Sequence, residues 1–302
     1  MTAVVEAEGL TKFYGSRRGL RELTLEVPPG EVFGYLGPNG AGKTTTIRLM
    51  LDLIRPTSGG VRLFGIDPRR DGVEVRRRIG YLPGELVFDG RERAGAFLSF
   101  LADIRGGVPQ GRIEELAERL QLDLSRQIRG LSKGNKQKVG LVQAFMHEPE
   151  LLILDEPTTG LDPLMQQEFL TLVREARDNG QTVFMSSHVL AEVQSAADRV
   201  GIVRDGRLVT VERVESLGRR AVRRVEIHFE EVVPAEAFQR LPGVRDVVVE
   251  GPAVRCTVDG RLDPLVKAAA RYTVIDMISE EPDLEQTFLS YYYEDGETHR
   301  VA

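Results

Sequence analysis

The chain has 302 residues, with 46 acidic and 40 basic side chains, a formal net charge of −6 and one cysteine. This length suits a large domain followed by a smaller one. The acidic balance argues against a dedicated nucleic-acid binder, and a single cysteine excludes an internal disulfide.

The start of the chain gives no sign of export or of membrane insertion. Residues 1–15, "MTAVVEAEGLTKFYG", contain acids and lack a basic start followed by an apolar run, so no secretory signal is predicted. The longest apolar runs, such as "LLIL", fall far short of the roughly 20 residues that a membrane span needs. We therefore expect a soluble, cytoplasmic protein.

The first predicted elements are two strands joined by a tight turn and followed by a helix. The strands are "LRELTLEV" and "EVFGYLG", and "PPG" between them is typical of a turn. The segment "GPNGAGKTTTIRLMLDLI" opens with glycines and then takes helical spacing up to Ile54, before Pro56 stops the helix. A glycine-rich loop is thus predicted between a strand and a helix.

Residues 91–149 are predicted to be mainly helical, and the chain beyond them alternates short apolar runs with helices. The helical segments are "RERAGAFLSFLADI", "GRIEELAERLQL" and the stretch that begins with "LSKGNKQKVG". The apolar runs are "LLILD", "TVFMSS" and "VGIVRDG". This alternation is typical of a mostly parallel sheet covered by helices, so the predicted fold class is α/β.

The last part of the chain predicts a small α+β domain. Its order is strand, helix, strand, strand, helix, strand, which is typical of a split βαβ unit. The segments are "VRRVEIHF", "AEAFQRL", the hairpin "VRDVVVEGPAVRCTV", "LDPLVKAAARY" and "TVIDMI", with "DLEQTFLSYYY" as a last helix. We place the boundary near residue 217, which gives domains of residues 1–217 and 218–302. Cys256 is interpreted as a packed or idle thiol and His228 as an exposed ring.

The segment from Gly37 to Thr44, "GPNGAGKT", fits the phosphate-binding pattern of Gly, four residues, Gly-Lys and Ser or Thr. Its glycines let successive backbone N–H groups point inward, and the following helix adds its positive end to the same concavity. Lys43 is predicted to reach the β and γ phosphates of a nucleotide. The Thr44 hydroxyl is predicted to hold Mg²⁺.

Two acids follow the apolar run "LLIL", at the end of a predicted parallel strand where site residues usually lie. Asp155 is predicted to bind metal through a water, and Glu156 to polarise the water that attacks the γ phosphate. Such a pair elsewhere would be interpreted as solvated side chains. Beside a phosphate loop, it indicates hydrolysis.

These motifs, with "LSKGN" at Leu131 to Asn135 in front of "LLILDE", resemble those of the ATP-binding subunit of ABC transporters over about residues 4–212. "LSKGN" is similar to the family signature LSGGQ, with Lys133 and Asn135 as substitutions. The resemblance implies a P-loop NTPase core with an antiparallel β subdomain and a helical subdomain. It also implies two such domains placed head to tail, so that the signature of one completes the ATP site of the other.

The resemblance assigns further residues. Tyr14 in "TKFYG" matches an aromatic that stacks on adenine, and His188 in "SSH" matches a histidine that contacts the γ phosphate. Ser132 is expected to cap the signature helix, and "GLD" at 160–162 matches a loop that touches the partner. The expected cofactors are ATP and Mg²⁺, and the predicted catalytic residues are Glu156, His188 and Lys43. The predicted nucleotide-binding residues are Tyr14, Gly37, Pro38, Asn39, Gly40, Ala41, Gly42, Lys43, Thr44, Thr45, Ser132 and Gly134.

One family position does not match. The family usually has Gln, sometimes Glu, after a strand resembling "RIGYLP", where it helps to hold Mg²⁺. Here Pro83 is followed by Gly84 and then Glu85. Either Glu85 substitutes after a one-residue shift, or this contact is missing. We include Glu85 with Thr44 and Asp155 in the predicted metal set, since a carboxylate is an acceptable Mg²⁺ ligand.

The resemblance also implies partners. A soluble ATPase cannot move a solute alone, so a separate transmembrane permease and a second copy of the chain are expected, with no nucleic acid. The chain would then lie at the inner face of the cell membrane, held there only through the permease. The tail looks like that of bacterial drug and lipid exporter ATPases and is interpreted as an accessory or regulatory domain.

Two alternatives remain. One is a soluble ABC ATPase of translation or DNA repair, although those types usually carry two nucleotide domains or long coiled coils. The other is a regulatory nucleotide-binding module without turnover, against which Glu156 and His188 argue. The sequence does not indicate the transported molecule.

Overall fold

The computed structural model describes residues 2–15, 17–87, 90–109, 111–216 and 223–279. The chain divides into two compact units, Met1–Glu212 and Arg213–Ala302, called the first and second unit below. Within the described residues, no helix is both long and apolar enough to cross a lipid bilayer.

The first unit contains two sheets. Its strands are β1 (Val5–Tyr14), β2 (Arg17–Val27), β3 (Val32–Leu36), β4 (Ser58–Leu63), β5 (Ile79–Leu82), β6 (Leu151–Asp155), β7 (Thr182–Ser187), β8 (Arg199–Arg204) and β9 (Arg207–Arg213). One sheet is antiparallel, with the order β2-β1-β4. The other has the order β5-β6-β7-β3-β8-β9. In this sheet β5, β6, β7 and β3 each pair in parallel with the next strand in that order.

Helices follow most strands of the larger sheet. They are α1 (Lys43–Met50), α2 (Gly72–Arg77), α3 (Ala94–Ile104), α4 (Arg112–Arg119), α5 (Lys133–Phe145), α6 (Pro163–Asp178) and α7 (Leu190–Ala196), with a short 3₁₀ turn at Ile128–Gly130. The predicted alternation of apolar strands and helices is therefore present in the first unit.

The central strands of the larger sheet are buried along their whole length. Every residue of β3, β6 and β7 is buried, as expected for parallel strands covered on both faces. Leu36 pairs with Ser187, and Asp155 pairs with Ser186. The carboxyl ends of the three strands therefore meet at one edge of the sheet.

Helix α1 is shorter than the sequence pattern predicted. It ends at Met50 instead of continuing to Ile54. Asp52 takes a left-handed φ of 55°, and Leu53 N–H donates to the Arg48 carbonyl over 2.9 Å. This is the hydrogen bond of a Schellman cap, so a local turn ends the helix before Pro56 is reached.

The second unit is a four-stranded antiparallel sheet with the order β11-β12-β10-β13. Its elements are β10 (Arg223–Phe229), α8 (Glu236–Gln239), β11 (Val244–Glu250), β12 (Ala253–Val258), α9 (Asp263–Ala269) and β13 (Val274–Ser279). This is the element order that the sequence predicted. The further helix predicted over 283–293 lies outside the described residues.

The core of the second unit is mainly apolar. The rings of Phe229, Phe238 and Tyr272 pack together with centroids 5.8–6.2 Å apart. Cys256 is buried in the same core, and burial raises the pKa of its thiol to about 11. His228 is partly exposed on the sheet, with Nε2 3.1 Å from Glu226 Oε1. Cys256 is therefore packed, as the sequence predicted, whereas His228 is less exposed than predicted because it lies beside Glu226.

Candidate active site

The phosphate loop, residues 37–44, joins the carboxyl end of β3 to α1. Gly40 and Gly42 have φ angles of 83° and 108°, in a region that side chains with a Cβ rarely adopt. A Cβ at Gly42 would also come 2.8 Å from the carbonyl oxygen of Gly19. Glycine is therefore needed at position 42 for both its conformation and its small size.

Lys43 is held at the centre of this loop. It is the first residue of α1 and only 5% exposed. Its Nζ donates to the carbonyl oxygens of Gly37 (2.6 Å) and Pro38 (3.2 Å), and it pairs with Glu156 Oε1 at 3.0 Å. The loop thus directs a buried positive charge to the place where phosphate oxygens are predicted to bind.

Asp155 and Glu156 are positioned by one hydroxyl group. Ser186 on β7 is fully buried, and its Oγ donates to Asp155 Oδ1 over 2.6 Å. The same Oγ accepts from the backbone N–H of Glu156 over 3.0 Å. Asp155 is also fully buried, and its Oδ2 has no hydrogen-bond partner. Ser186 therefore fixes both acids and leaves one carboxylate oxygen of Asp155 free to bind something else.

Glu156 is held in an unusual backbone conformation. Its φ of 49° is left-handed, which costs roughly 1–3 kcal/mol at a non-glycine residue and is common at functional sites. Its carboxylate contacts two side chains, one through each oxygen. Lys43 Nζ lies 3.0 Å from Oε1, and His188 Nδ1 lies 2.6 Å from Oε2. Glu156 therefore contacts both of the other predicted catalytic residues, Lys43 and His188.

A pocket of about 540 Å³ opens at this edge of the sheet, within the size range of small-molecule sites. Its wall is formed by residues of the phosphate loop and the start of α1, by one residue each from β1 and β2, and by the residue that follows β6. Its lining residues are Tyr14, Gly19, Asn39, Gly40, Gly42, Lys43, Thr44, Thr45 and Glu156. Except for Gly19, all of these belong to the predicted site.

The signature residues lie apart from this pocket. Ser132 caps α5, with Oγ accepting from Asn135 N–H over 3.3 Å, as the sequence predicted. Gly134 packs on the loop after β6, because a Cβ there would come 2.5 Å from the carbonyl oxygen of Gly160. Neither Ser132 nor Gly134 lines the pocket of its own chain.

Glu85 also lies outside the pocket. It is exposed and lines a separate groove with Val87 and Leu101. Its neighbour Gly84 is the residue that lies beside the metal-site acid, since a Cβ at Gly84 would come 3.1 Å from Asp155 Oδ2. The metal role of Glu85 stays a prediction.

Sequence reasoning missed three residues that shape the site: Ser186, Gln137 and Gly19. Gln137 on α5 is 4% exposed, and its Nε2 donates to the Pro157 carbonyl over 2.9 Å, which ties the signature helix to the segment after Glu156. The available signals were a pair of serines at the end of a buried strand and a glutamine on the buried side of a helix. Their partners became visible only in three dimensions.

The residues present fit a magnesium ion brought by a nucleotide. Among the described residues, no group of three or more His, Cys, Asp or Glu side chains could hold a metal. Asp155 instead offers one buried oxygen without a partner, and Thr44 lines the neighbouring pocket. Mg²⁺ is commonly bound by one or two protein oxygens together with nucleotide phosphates, so this small donor set is sufficient.

Comparison with known proteins shows the family to which the chain belongs. The sequence profile described as "ABC transporter" matches residues 20–159. The bacitracin transport ATP-binding protein of Bacillus licheniformis is 40% identical over 212 residues, which are 69% of this chain and 69% of that protein. The linearmycin resistance ATP-binding protein of Bacillus subtilis is 29% identical over 303 residues, 95% of this chain and 97% of that protein.

A solved structure described as dimeric, of a bacterial ABC transporter cassette, has the same fold. It is 21% identical, has a TM-score of 0.65, and the match covers 70% of this chain and 98% of that chain. The predicted α/β fold with its P-loop core is thereby confirmed. The chain belongs to the ABC transporter family, as an ATP-binding subunit that hydrolyses ATP.

Proposed function

We propose that the chain drives export through a separate membrane permease, and that it does so as a pair of copies that close on two Mg²⁺-ATP. The observation that carries the proposal is the separation of Ser132 and Gly134 from the pocket of their own chain. The capped start of α5 presents backbone N–H groups and a hydroxyl, which suit an anion. A second copy facing the first would place these groups against its γ phosphate.

Within each site, Lys43 binds the phosphates and Tyr14 stacks on adenine. A γ phosphate competes with Glu156 for the Lys43 ammonium, with which Glu156 pairs at 3.0 Å. The carboxylate of Glu156, still held by His188, then polarises the attacking water. A Mg²⁺ ion bound with ATP would be held by Thr44 and Asp155 and would neutralise charge on the phosphates.

ATP can do work on the permease because it is bound differently in the open and closed pair. The contacts from Ser132 of the facing copy exist only when the pair is closed, so ATP stabilises closure by the free energy of those contacts. Hydrolysis removes the γ phosphate that they hold. The pair then reopens.

The permease contact is proposed at the groove beside Glu85. This groove has a volume of about 530 Å³, and its wall includes Pro83, Val87 and Leu101. Val87 is 80% exposed. The loop from Pro83 to Val87 also passes Asp155 at Gly84, so a partner in the groove would sense the metal site. Through this partner the chain would lie at the inner face of the membrane.

The transported substrate is proposed to be of the antibiotic type. The relatives named above are described by bacitracin transport and by linearmycin resistance. The linearmycin resistance relative aligns along both units, so it has a counterpart to the second unit. For residues 218–302 we propose an accessory role in dimerisation or regulation of the ATPase.

Glu156→Gln tests the proposal. We expect nearly normal ATP binding, a loss of hydrolysis of about 10²–10⁴-fold, and accumulation of an ATP-bound dimer in size-exclusion chromatography. Glu150→Gln, an exposed glutamate just before β6, is the matched control and should hydrolyse normally. Normal turnover in Glu156→Gln would remove Glu156 from its role. Full-rate hydrolysis by a strict monomer, with no loss in Ser132→Ala, would overturn the paired mechanism.

A further inference from the structure

Gly19 forms a β-bulge in β2, on the side of the pocket that is lined by Tyr14 and next to the phosphate loop. β1 advances by one residue, from Lys12 to Phe13, while the paired position in β2 advances by two, which leaves Gly19 without an opposite residue. Bulges bend a strand and redirect neighbouring side chains, and they are frequent beside active sites. Gly19 also lines the pocket.

The ring of Tyr14 rests on this bulge. A Cβ at Gly19 would lie 2.8 Å from Cε2 and 3.1 Å from Cδ2 of Tyr14. Favourable carbon–carbon contacts lie at about 3.5–4.0 Å, so the ring occupies space that any larger residue at position 19 would need. Tyr14 is still 46% exposed and lines the pocket, so part of its surface remains available to a ligand.

Lys12 holds the same ring from another direction. Its Nζ lies 5.2 Å from the centroid of the Tyr14 ring and donates to the carbonyl oxygen of Arg55 over 2.6 Å. An ammonium at this distance is attracted to the negative face of an aromatic ring. Because Arg55 fixes the ammonium, Lys12 restrains the orientation of the ring.

The bulge is attached to the phosphate loop by backbone contacts. The Gly19 carbonyl oxygen would lie 2.8 Å from a Cβ at Gly42 and 3.0 Å from one at Gly206, so the three glycines pack closely. Arg21 N–H donates to the Gly206 carbonyl over 2.7 Å, and Gly206 N–H donates to the Ala41 carbonyl over 3.0 Å. The support of the ring and the phosphate loop therefore form one connected unit.

We propose that Gly19, assisted by Lys12, positions the Tyr14 ring relative to the phosphate loop and so determines how much the base of a purine nucleotide contributes to binding. The inference rests on the adenine contact proposed for Tyr14. Because the phosphate loop fixes the phosphates of the nucleotide, its base lies at a set distance from the loop. The Tyr14 ring can stack on that base only if the ring is held at the matching position and angle. A purine offers a larger stacking surface than a pyrimidine, so this geometry favours ATP over CTP.

The test compares dissociation constants for ATP, CTP and inorganic tripolyphosphate, which has no base. Gly19→Ala should weaken ATP binding about tenfold, within the range of one base–aromatic stack, and reduce the preference for ATP over CTP. Tripolyphosphate should bind within about twofold of wild type, because the phosphate contacts remain. In the Tyr14→Ala background, Gly19→Ala should have no further effect on ATP binding, since the ring it displaces is absent.

Gly60→Ala is the matched control. Gly60 lies in β4 of the same sheet, and a Cβ there would meet no atom within 4 Å. Its ATP binding should equal that of wild type. If Tyr14→Ala leaves ATP binding unchanged, the proposed adenine contact itself fails. If Tyr14→Ala weakens binding but Gly19→Ala does not, or if the two losses add, only the role of Gly19 is overturned.

Lys12→Met provides a second route if Gly19→Ala does not fold. It keeps the aliphatic stem and removes the charge above the ring. We expect about threefold weaker ATP binding, unchanged tripolyphosphate binding, and no effect in the Tyr14→Ala background. No change, or an equal loss for ATP and tripolyphosphate, would overturn the positioning role.

Discussion

The two units differ in what they bury. Across the described part of the chain, every buried polar or charged side chain lies in the first unit, including Lys43, Asp155 and Ser186. The buried side chains of the second unit are apolar apart from the weakly polar Cys256. Burying a polar group is costly unless it is paired. Some of these groups pair with backbone away from the site, as Thr182 does with Gly30 N–H, but Lys43, Asp155 and Ser186 all lie at the candidate site. The first unit thus combines an apolar core with buried polar groups at its site, whereas the second unit buries almost only apolar side chains.

The largest expected effect tests whether packing dominates the second unit. Phe238 is fully buried between the rings of Phe229 and Tyr272. Phe238→Ala should lower the free energy of unfolding of the second unit by about 3–5 kcal/mol, because it leaves a cavity. Hydrogen exchange of β10 and β12 amides would measure this loss.

The control for this change is Val232→Ala, at a side chain that is 71% exposed. It should shift the unfolding free energy by less than about 0.5 kcal/mol. ATP binding should be unchanged in both variants. A parallel loss of ATP affinity in Phe238→Ala would break the proposed separation between packing and chemistry.

The next effect concerns the buried hydroxyl that holds both acids. Ser186→Ala should lower kcat about 10–100-fold, equivalent to about 1.4–2.7 kcal/mol, because Asp155 and Glu156 lose their common partner. Steady-state ATP hydrolysis would measure it. Ser187→Ala, at an equally buried serine whose Oγ binds Glu192, should change kcat less than about threefold. Equal losses in the two variants would show a general packing defect instead.

A pH effect is expected in the first unit from His147. Burial, and next the charge of Arg105, lower the pKa of His147 from 6.5 to about 4. Between pH 6.5 and 4, His147 binds more protons in the unfolded state than in the folded state. Above pH 6.5 this group therefore does not reduce the free energy of unfolding, which falls as the pH is lowered towards 4. The expected loss is about 2 kcal/mol after allowance for the ring's partial exposure.

Urea denaturation between pH 7 and 4 would test this dependence on His147. The His147→Phe variant should show a smaller fall in stability over the same range, because its ring binds no proton. An unchanged fall in that variant would assign the pH dependence to other groups.

The smallest expected effect is at the thiol of the second unit. Cys256→Ala should lower the free energy of unfolding by about 1 kcal/mol and leave ATP hydrolysis unchanged. The native thiol should react slowly with a disulfide reagent, because it is buried and its pKa is raised to about 11. Fast labelling of the folded protein would contradict the packed position of Cys256.

The sequence predicted local patterns well where short-range rules decide the outcome. The glycine spacing of residues 37–44 predicted the phosphate loop, and Ser132 predicted the start of α5. The short, mainly apolar runs of β6, β7 and β8, alternating with helices, predicted a mostly parallel sheet. The sequence pattern overestimated the length of α1. Asp52 ends that helix in a left-handed conformation, and an aspartate does not require this conformation, so nothing in the sequence signals it.

The sequence by itself determined the class of chemistry. The phosphate loop, the signature and the two acids are short patterns of residue type and spacing that can be identified along the chain. The tertiary structure decided which distant groups meet. Ser186 comes to both acids only because β7 lies beside β6, and Gly19 comes to Tyr14 only because a bulge shifts the register of β1 and β2. These contacts depend on strand order and register, which are set by the packing of the whole sheet and leave no mark in a local pattern.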